Sequence, residues 1–281
     1  MGRRLLILRN ALKAWACVVV LGLLLGAIGW ALGDYRVGLL FLGSGVLLCA
    51  AVYWYADRIV LGMVGARELL PGEAPAIHST VERLSLRAGV IKPKLYVLPD
   101  SYPRALSAGR GAGGGSGLAL SLGLMGVASP AELEGVLAHE IAHIRQRDVL
   151  VQTIAVVIAT VLVETSRIAG FLQRFLLMLL GPIAAAFVHL LLSPKREYEA
   201  DRLAAELCDS PHGLADALIR LEQAMELVPF QAGPATEPLY TTNPFAEEGL
   251  AALFVTHPPV AERVRRLRAL DPDWREKLRA A

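Results

Sequence analysis

Between Ala14 and Gly33 the chain carries no charged residue, and after the short break Asp34-Tyr35-Arg36 it runs uncharged again from Val37 to Ala56. Each run has the roughly 20 residues that a helix needs to cross a bilayer. A cleaved signal peptide would account for the first run, but that run is longer than the apolar region of such a peptide and a second follows at once. Residues 1–56 are therefore expected to form a transmembrane hairpin. Arg3, Arg4, Arg9 and Lys13 precede the first run, while the loop holds only Asp34 and Arg36, so the basic excess puts the N-terminus in the cytoplasm and two crossings return the chain there. Trp15, Trp30, Tyr53, Trp54 and Tyr55 fall near the span ends, where amphipathic rings settle.

The composition agrees. With 54% hydrophobic and 19% charged residues in 281, the chain is too apolar for an ordinary soluble protein and long enough for one domain besides membrane segments. A net charge of +2 points to no acidic partner, and nucleic acid is not indicated. Cys17, Cys49 and Cys208 make an odd count with no close pair, which fits small buried hydrophobes rather than a disulfide framework or a thiolate metal site.

From residue 57 to 148 the sequence turns globular. Pro75 to Ala88 reads as an amphipathic helix with Ile77, Val81, Leu84 and Leu86 as buried candidates, and Lys94 to Leu98 as a strand. Ala105-Leu106-Ser107-Ala108 and Gly117 to Leu122 flank the glycine-rich stretch from Gly109 to Ser116, the pattern of a hairpin with a flexible tip. A phosphate-cradling loop is disfavoured, because no Gly-Lys-Ser/Thr follows and no strand-turn-helix frame surrounds the stretch. Residues 149–193 hold two further apolar runs and are expected to form a second membrane hairpin, crossing or merely entering the bilayer, between two globular parts at 57–148 and 194–281. His189, within the second of these runs, reads as a helix-packing histidine.

Gly135-Val136-Leu137-Ala138-His139-Glu140-Ile141-Ala142-His143 sets two imidazoles one helical turn apart, with a carboxylate beside the first. Residues four apart share a helix face, so His139 and His143 can reach one metal ion, and Glu140 falls within reach of a metal-bound water as a general base. Ser129, Pro130 and Glu132 mark the helix start as N-cap, first helical residue and capping-box carboxylate. Such a short pattern also arises by chance, and a third ligand decides the matter.

Ser193-Pro194-Lys195-Arg196-Glu197-Tyr198-Glu199-Ala200-Asp201 opens a later helix. Glu197 and Asp201, one turn apart, suit a third zinc ligand and a carboxylate that accepts a hydrogen bond from a ligand imidazole. A solvated charged face is the alternative for this segment, and Glu199, about 200° round the helix from Glu197, competes as third ligand.

Together the N-terminal hairpin, Glu134 to His143, Arg196 to Asp201 and Thr256-His257-Pro258-Pro259 resemble, in this order, the HtpX-type integral-membrane zinc metalloproteases, relatives of the type I CAAX prenyl proteases. The likeness covers nearly the whole chain. It implies an α+β, mainly helical protein in which transmembrane helices accompany a gluzincin-like zinc metalloprotease domain with a small β-hairpin or sheet. It further implies one Zn2+ per chain held by His139, His143 and Glu197, with Glu140 as the catalytic residue and Asp201 as partner of a ligand histidine. The implied activity is endopeptidase cleavage of polypeptides, misfolded or membrane proteins among them, by an enzyme of the bacterial cytoplasmic membrane whose catalytic domain faces the cytoplasm and serves quality control and stress response. In that family a strand ahead of the motif helix binds extended substrate by edge pairing, and Gly117-Leu118-Ala119-Leu120 is its counterpart here. One departure touches substrate contacts: the family's Asn-Ala-Phe-Ala segment is replaced by Arg104-Ala105-Leu106-Ser107.

A catalytically silent membrane scaffold and a prenyl-protein processing enzyme are the alternatives. The intact His139, Glu140, His143 and Glu197 weigh against the first, and four spans are too few to enclose the chamber the second would need. Near the C-terminus, a helix is expected from His212, residues 229–245 read as a proline-broken stretch suited to a lid or to disorder, and His257 is expected to be held extended ahead of two prolines, where it either donates to the oxyanion or caps or packs on the helix from Val260 to Leu270. Arg263, Arg265, Arg266 and Arg268 are expected to form a mostly solvated face.

Overall fold

The computed structural model describes residues 33–153, 194–227 and 258–273, together with a few isolated positions ahead of them. The first uncharged run as a whole, residues 154–193 with His189, and His257 lie outside the described residues. Helix α1 (Tyr35–Met63) starts where the Asp34 carboxylate accepts from the backbone N–H of Arg36 and Val37, and it takes up the second uncharged run. Leu39, Leu40, Leu47 and Trp54 on it are exposed, and its backbone leaves helical geometry at Tyr55. Over the described residues, no helix is long and apolar enough to cross a membrane.

A four-stranded mixed sheet follows, made of β1 (Arg67–Glu68), β2 (Lys94–Leu98), β3 (Ala105–Gly109) and β4 (Ser116–Ser121) in the order β1-β2-β4-β3. β1 and β3 run antiparallel to their neighbours, whereas β2 and β4 are parallel, with Tyr96 opposite Ala119. The side-chain alternation of strands splits the sheet into two apolar faces. Leu106, Ala108 and Ala119 meet Val60 and Leu61 of α1, while Ala105, Leu118 and Leu120 join the main core. α1 lies so close that a Cβ on Gly117 would meet Leu61 Cδ1 at 2.5 Å.

Helix α2 (Pro75–Ala88) buries Val81 and Leu84 as expected, with Ile77 half-buried against the same core. Leu86 does not follow, because two residues beyond Leu84 the helix has turned about 200° and left it 77% exposed. After the short helix α3 (Leu122–Val127) comes α4 (Pro130–Gln146). Its capping box is complete, since the Ser129 hydroxyl accepts from Glu132 N–H while the Glu132 carboxylate accepts from Ser129 N–H. From Gly135 to Ile144 every α4 residue is buried, as befits a helix packed on all sides. Its neighbours are α2, β3, α5 (Pro194–Cys208) and α6 (His212–Leu227). α7 (Val260–Arg268) closes the domain against α5 and α6.

Candidate active site

The fold crosses α4 and α5 so that the one-turn pairs of both helices face each other. His139 Nε2 and His143 Nε2 stand 3.1 Å apart, and the Glu197 carboxylate, in the first turn of α5, reaches them at 3.7 and 3.6 Å. With metal–ligand bonds of about 2.0–2.1 Å, tetrahedral ligand atoms lie about 3.3–3.4 Å from one another; the two Nε2 atoms stand near that separation, and a Glu197 oxygen lies a few tenths of an ångström beyond it from each. Among the described residues this is the group of histidine, cysteine and carboxylate side chains that could hold an ion, and all three are buried.

Behind each imidazole stands a carboxylate. His139 Nδ1 lies 3.0 Å from Asp201 Oδ1, and His143 Nδ1 lies 3.4 Å from Asp148 Oδ2. A carboxylate at Nδ1 favours the proton there and leaves the Nε2 lone pair for a metal ion. Asp148 reaches this place because α4 ends at Arg147 in the left-handed conformation, φ 60°, and the chain turns back before a new helix starts. Asp201 is gripped from its other side by Arg263 of α7, whose Nε and NH2 donate to its two oxygens at 2.9 and 2.7 Å. Arg196 donates to Gln152 Oε1 at 3.2 Å and sets its Nε 3.4 Å from Glu197 Oε1.

Charge points the same way as geometry. Glu140, Asp148, Glu197 and Asp201 are four buried carboxylates here, against the two buried guanidiniums of Arg196 and Arg263. Buried carboxyl groups thus outnumber buried guanidiniums by two, a surplus of acidic groups that a bound divalent cation would offset. Burial works against ionised Asp201, but the Arg263 guanidinium more than offsets it and brings the carboxyl down to about 2. Burial likewise lowers His139, and the carboxylates of Asp201 and Glu197 reverse the effect, lifting it to about 9. Both shifts describe a site that attracts positive charge.

The sequence model of peptidase family M48 matches residues 71–271, a stretch that holds every side chain of this site. The chain belongs to peptidase family M48. Curated relatives resemble this chain almost end to end: a protease HtpX homolog of Pelotomaculum thermopropionicum is 37% identical over 93% of this chain and 99% of its own length, and that of Salinibacter ruber 39% identical over 92% and 97%. A protease HtpX homolog of Pyrococcus abyssi is 36% identical over 96% of this chain and 97% of its own. The crystal structure of S. mikatae Ste24p is similar with a TM-score of 0.48 at 20% identity, covering 93% of this chain and 66% of that one.

Two expectations for this M48 chain need correction. Gly117, Leu118, Ala119 and Leu120 do not form a sheet edge, because β4 is flanked by β2 and β3 and its backbone is engaged on both sides. The edge strand that packs against α4 is β3. Arg110 N donates to Gly115 O and Ser121 N to Arg104 O, so the alternation of an antiparallel pair turns the backbone groups of Ala105, Ser107 and Gly109 away from β4. Arg263 is the other correction: it is fully buried rather than solvated. Its signal was present, since Val260, Val264 and Leu267 share its face of α7, and a cation in an apolar stripe needs an acidic partner. Asp148 had no comparable signal, standing in a charged run after the motif helix.

Proposed function

We propose that this M48 chain is a membrane-bound, zinc-dependent endopeptidase that cleaves misfolded or membrane polypeptides on the cytoplasmic side of the cell membrane. The observation that carries the reading is the convergence of His139, His143 and Glu197, each imidazole backed by its own carboxylate, with buried Glu140 next to His139. Two imidazoles and a carboxylate make a donor set for catalytic zinc, with one coordination position left for water. Zinc held there supplies a Lewis acid for the scissile carbonyl and an acidified water.

The chain's own residues do the rest. Glu140 takes the proton of the attacking water and hands it to the leaving amine. Asp201 and Asp148 fix the tautomers of the two imidazoles. The lipid bilayer enters through the uncharged runs at 14–33, 37–56 and within 149–193, and the exposed apolar side chains of α1 fit a lipid-facing helix. His257 remains a candidate donor to the oxyanion.

The test is metal content and casein cleavage by purified full-length protein. Glu140→Gln should retain one zinc per chain and lose cleavage by several orders of magnitude, because the base is gone while the ligands stay. Cleavage that survives this substitution would remove Glu140 from the mechanism.

A further inference from the structure

Arg263 is a fully buried guanidinium that is not itself a metal ligand, and burying such a charge is costly unless it is paired. It is 0% exposed, lies 62 positions beyond its partner Asp201, and is the largest of the fully buried side chains among the described residues. Its Nε and NH2 form a side-on fork to both oxygens of Asp201, a geometry a guanidinium can make and an ammonium cannot. The remaining nitrogen, NH1, stands 3.9 Å from Glu197 Oε2, and NH2 stands 3.4 Å from His139 Nε2. One planar group thus spans both inward carboxylates of α5 and faces the first histidine of α4.

We propose that Arg263 is a positioning residue of the metal centre, holding the Asp201 carboxylate on His139 Nδ1 so that docking of α7 completes the site. The inference rests on the metallopeptidase reading above. The arginines of α7 then divide by role, with Arg263 serving the site while Arg266 stacks over the Tyr198 ring at 3.8 Å and Arg268 ties α7 to Asp216 of α6. A carboxylate clamped on one side by a fork has one orientation to offer the imidazole on the other, and outer-shell partners of this kind are worth about 10- to 100-fold in metal affinity. Charge alone would not suffice, since a single ammonium leaves the carboxylate free to rotate.

The experiment measures zinc affinity of full-length protein by competition with a chromophoric chelator, for wild type, His139→Ala, Asp201→Asn, Arg263→Ala, Arg263→Lys, Arg266→Ala and the Arg263→Ala/Asp201→Asn double variant. Arg263→Ala and Arg263→Lys should each weaken zinc about 10- to 100-fold, with Arg266→Ala unchanged. The double variant should be no weaker than Asp201→Asn alone, since both changes break one connection. Should Arg263→Ala fail to fold, Arg263→Lys keeps the buried charge and tests the fork by itself. Wild-type affinity in Arg263→Lys, or losses that add in the double variant, would overturn the proposal while leaving the metal site intact. Zinc binding by His139→Ala equal to wild type would instead overturn the metallopeptidase reading.

Discussion

Gly135, one turn before His139, is where the site helix meets α6 without any side chain between them. A Cβ there would lie 2.4 Å from Leu214 N, 2.7 Å from Leu214 Cα and 2.9 Å from Gly213 C, all backbone atoms that cannot swing aside. Ordinary contact begins at 3.4 Å, so Gly135→Ala must push α4 and α6 apart by roughly 1 Å. A gap of that size forfeits a quarter to a half of each dispersion contact along the seam, and overpacking of this kind costs about 1–3 kcal/mol, at the upper end here because backbone faces backbone. For a domain of this size the melting temperature should drop by about 6–12 °C. Gly126, in α3, supplies the control: a Cβ there meets nothing within 4 Å, so Gly126→Ala should be neutral or raise stability by up to about 1 kcal/mol through helix propensity. Thermal unfolding of the two variants in detergent reads the difference. A Gly135→Ala protein that melts within about 2 °C of wild type, the lower bound for a change of even 1 kcal/mol, would refute the close packing of α4 on α6.

Asp148→Ala should weaken zinc by about tenfold, the low end for a partner of a ligand imidazole, because its 3.4 Å approach to His143 is longer than that of Asp201 to His139; unchanged affinity would remove it from the site. Cys208, against the Glu134 carbonyl, has its thiol pushed by burial up to about 12 from an ordinary 9. In a Cys17→Ser/Cys49→Ser background it should react with iodoacetamide at pH 9 at least about 100-fold more slowly than a free thiol. Its contribution to stability is whole below pH 9 and is lost as pH rises toward 12, because the unfolded thiol ionises first; alkylation at the free-thiol rate would contradict both statements.

Much of the fold could be read from the chain because its signals are local. Ser129, Pro130 and Glu132 announce α4 within four residues, and the apolar period fixes α2, with Leu86 misplaced because the helix turns it away from its neighbours. The spacing of Glu197 and Asp201 was legible for the same reason, as both lie on one face of one helix. Sheet order was not. The parallel pairing of β2 with β4 is a contact between segments separated by the whole hairpin, and nothing in the alternation of β4 says which of its neighbours will cover it. An interior strand therefore reads like an edge in the sequence, and β3, the real edge, carries no mark of its own. Asp148 became visible only once tertiary packing set His143 beside it, and the partner of Arg263, a cation already marked by its apolar stripe, only once α7 was docked on Asp201.

In the proposed mechanism Glu197, and not its helix neighbour Glu199, completes a metal centre with His139 and His143. Zinc stoichiometry of purified wild-type, Glu197→Ala and Glu199→Ala proteins after dialysis against trace zinc tests it most directly. Wild type and Glu199→Ala should each retain one zinc per chain, and Glu197→Ala, left with two imidazoles, should lose it. A Glu197→Ala protein that keeps its zinc while Glu199→Ala loses it would contradict the ligand assignment and, with it, the mechanism built on these residues.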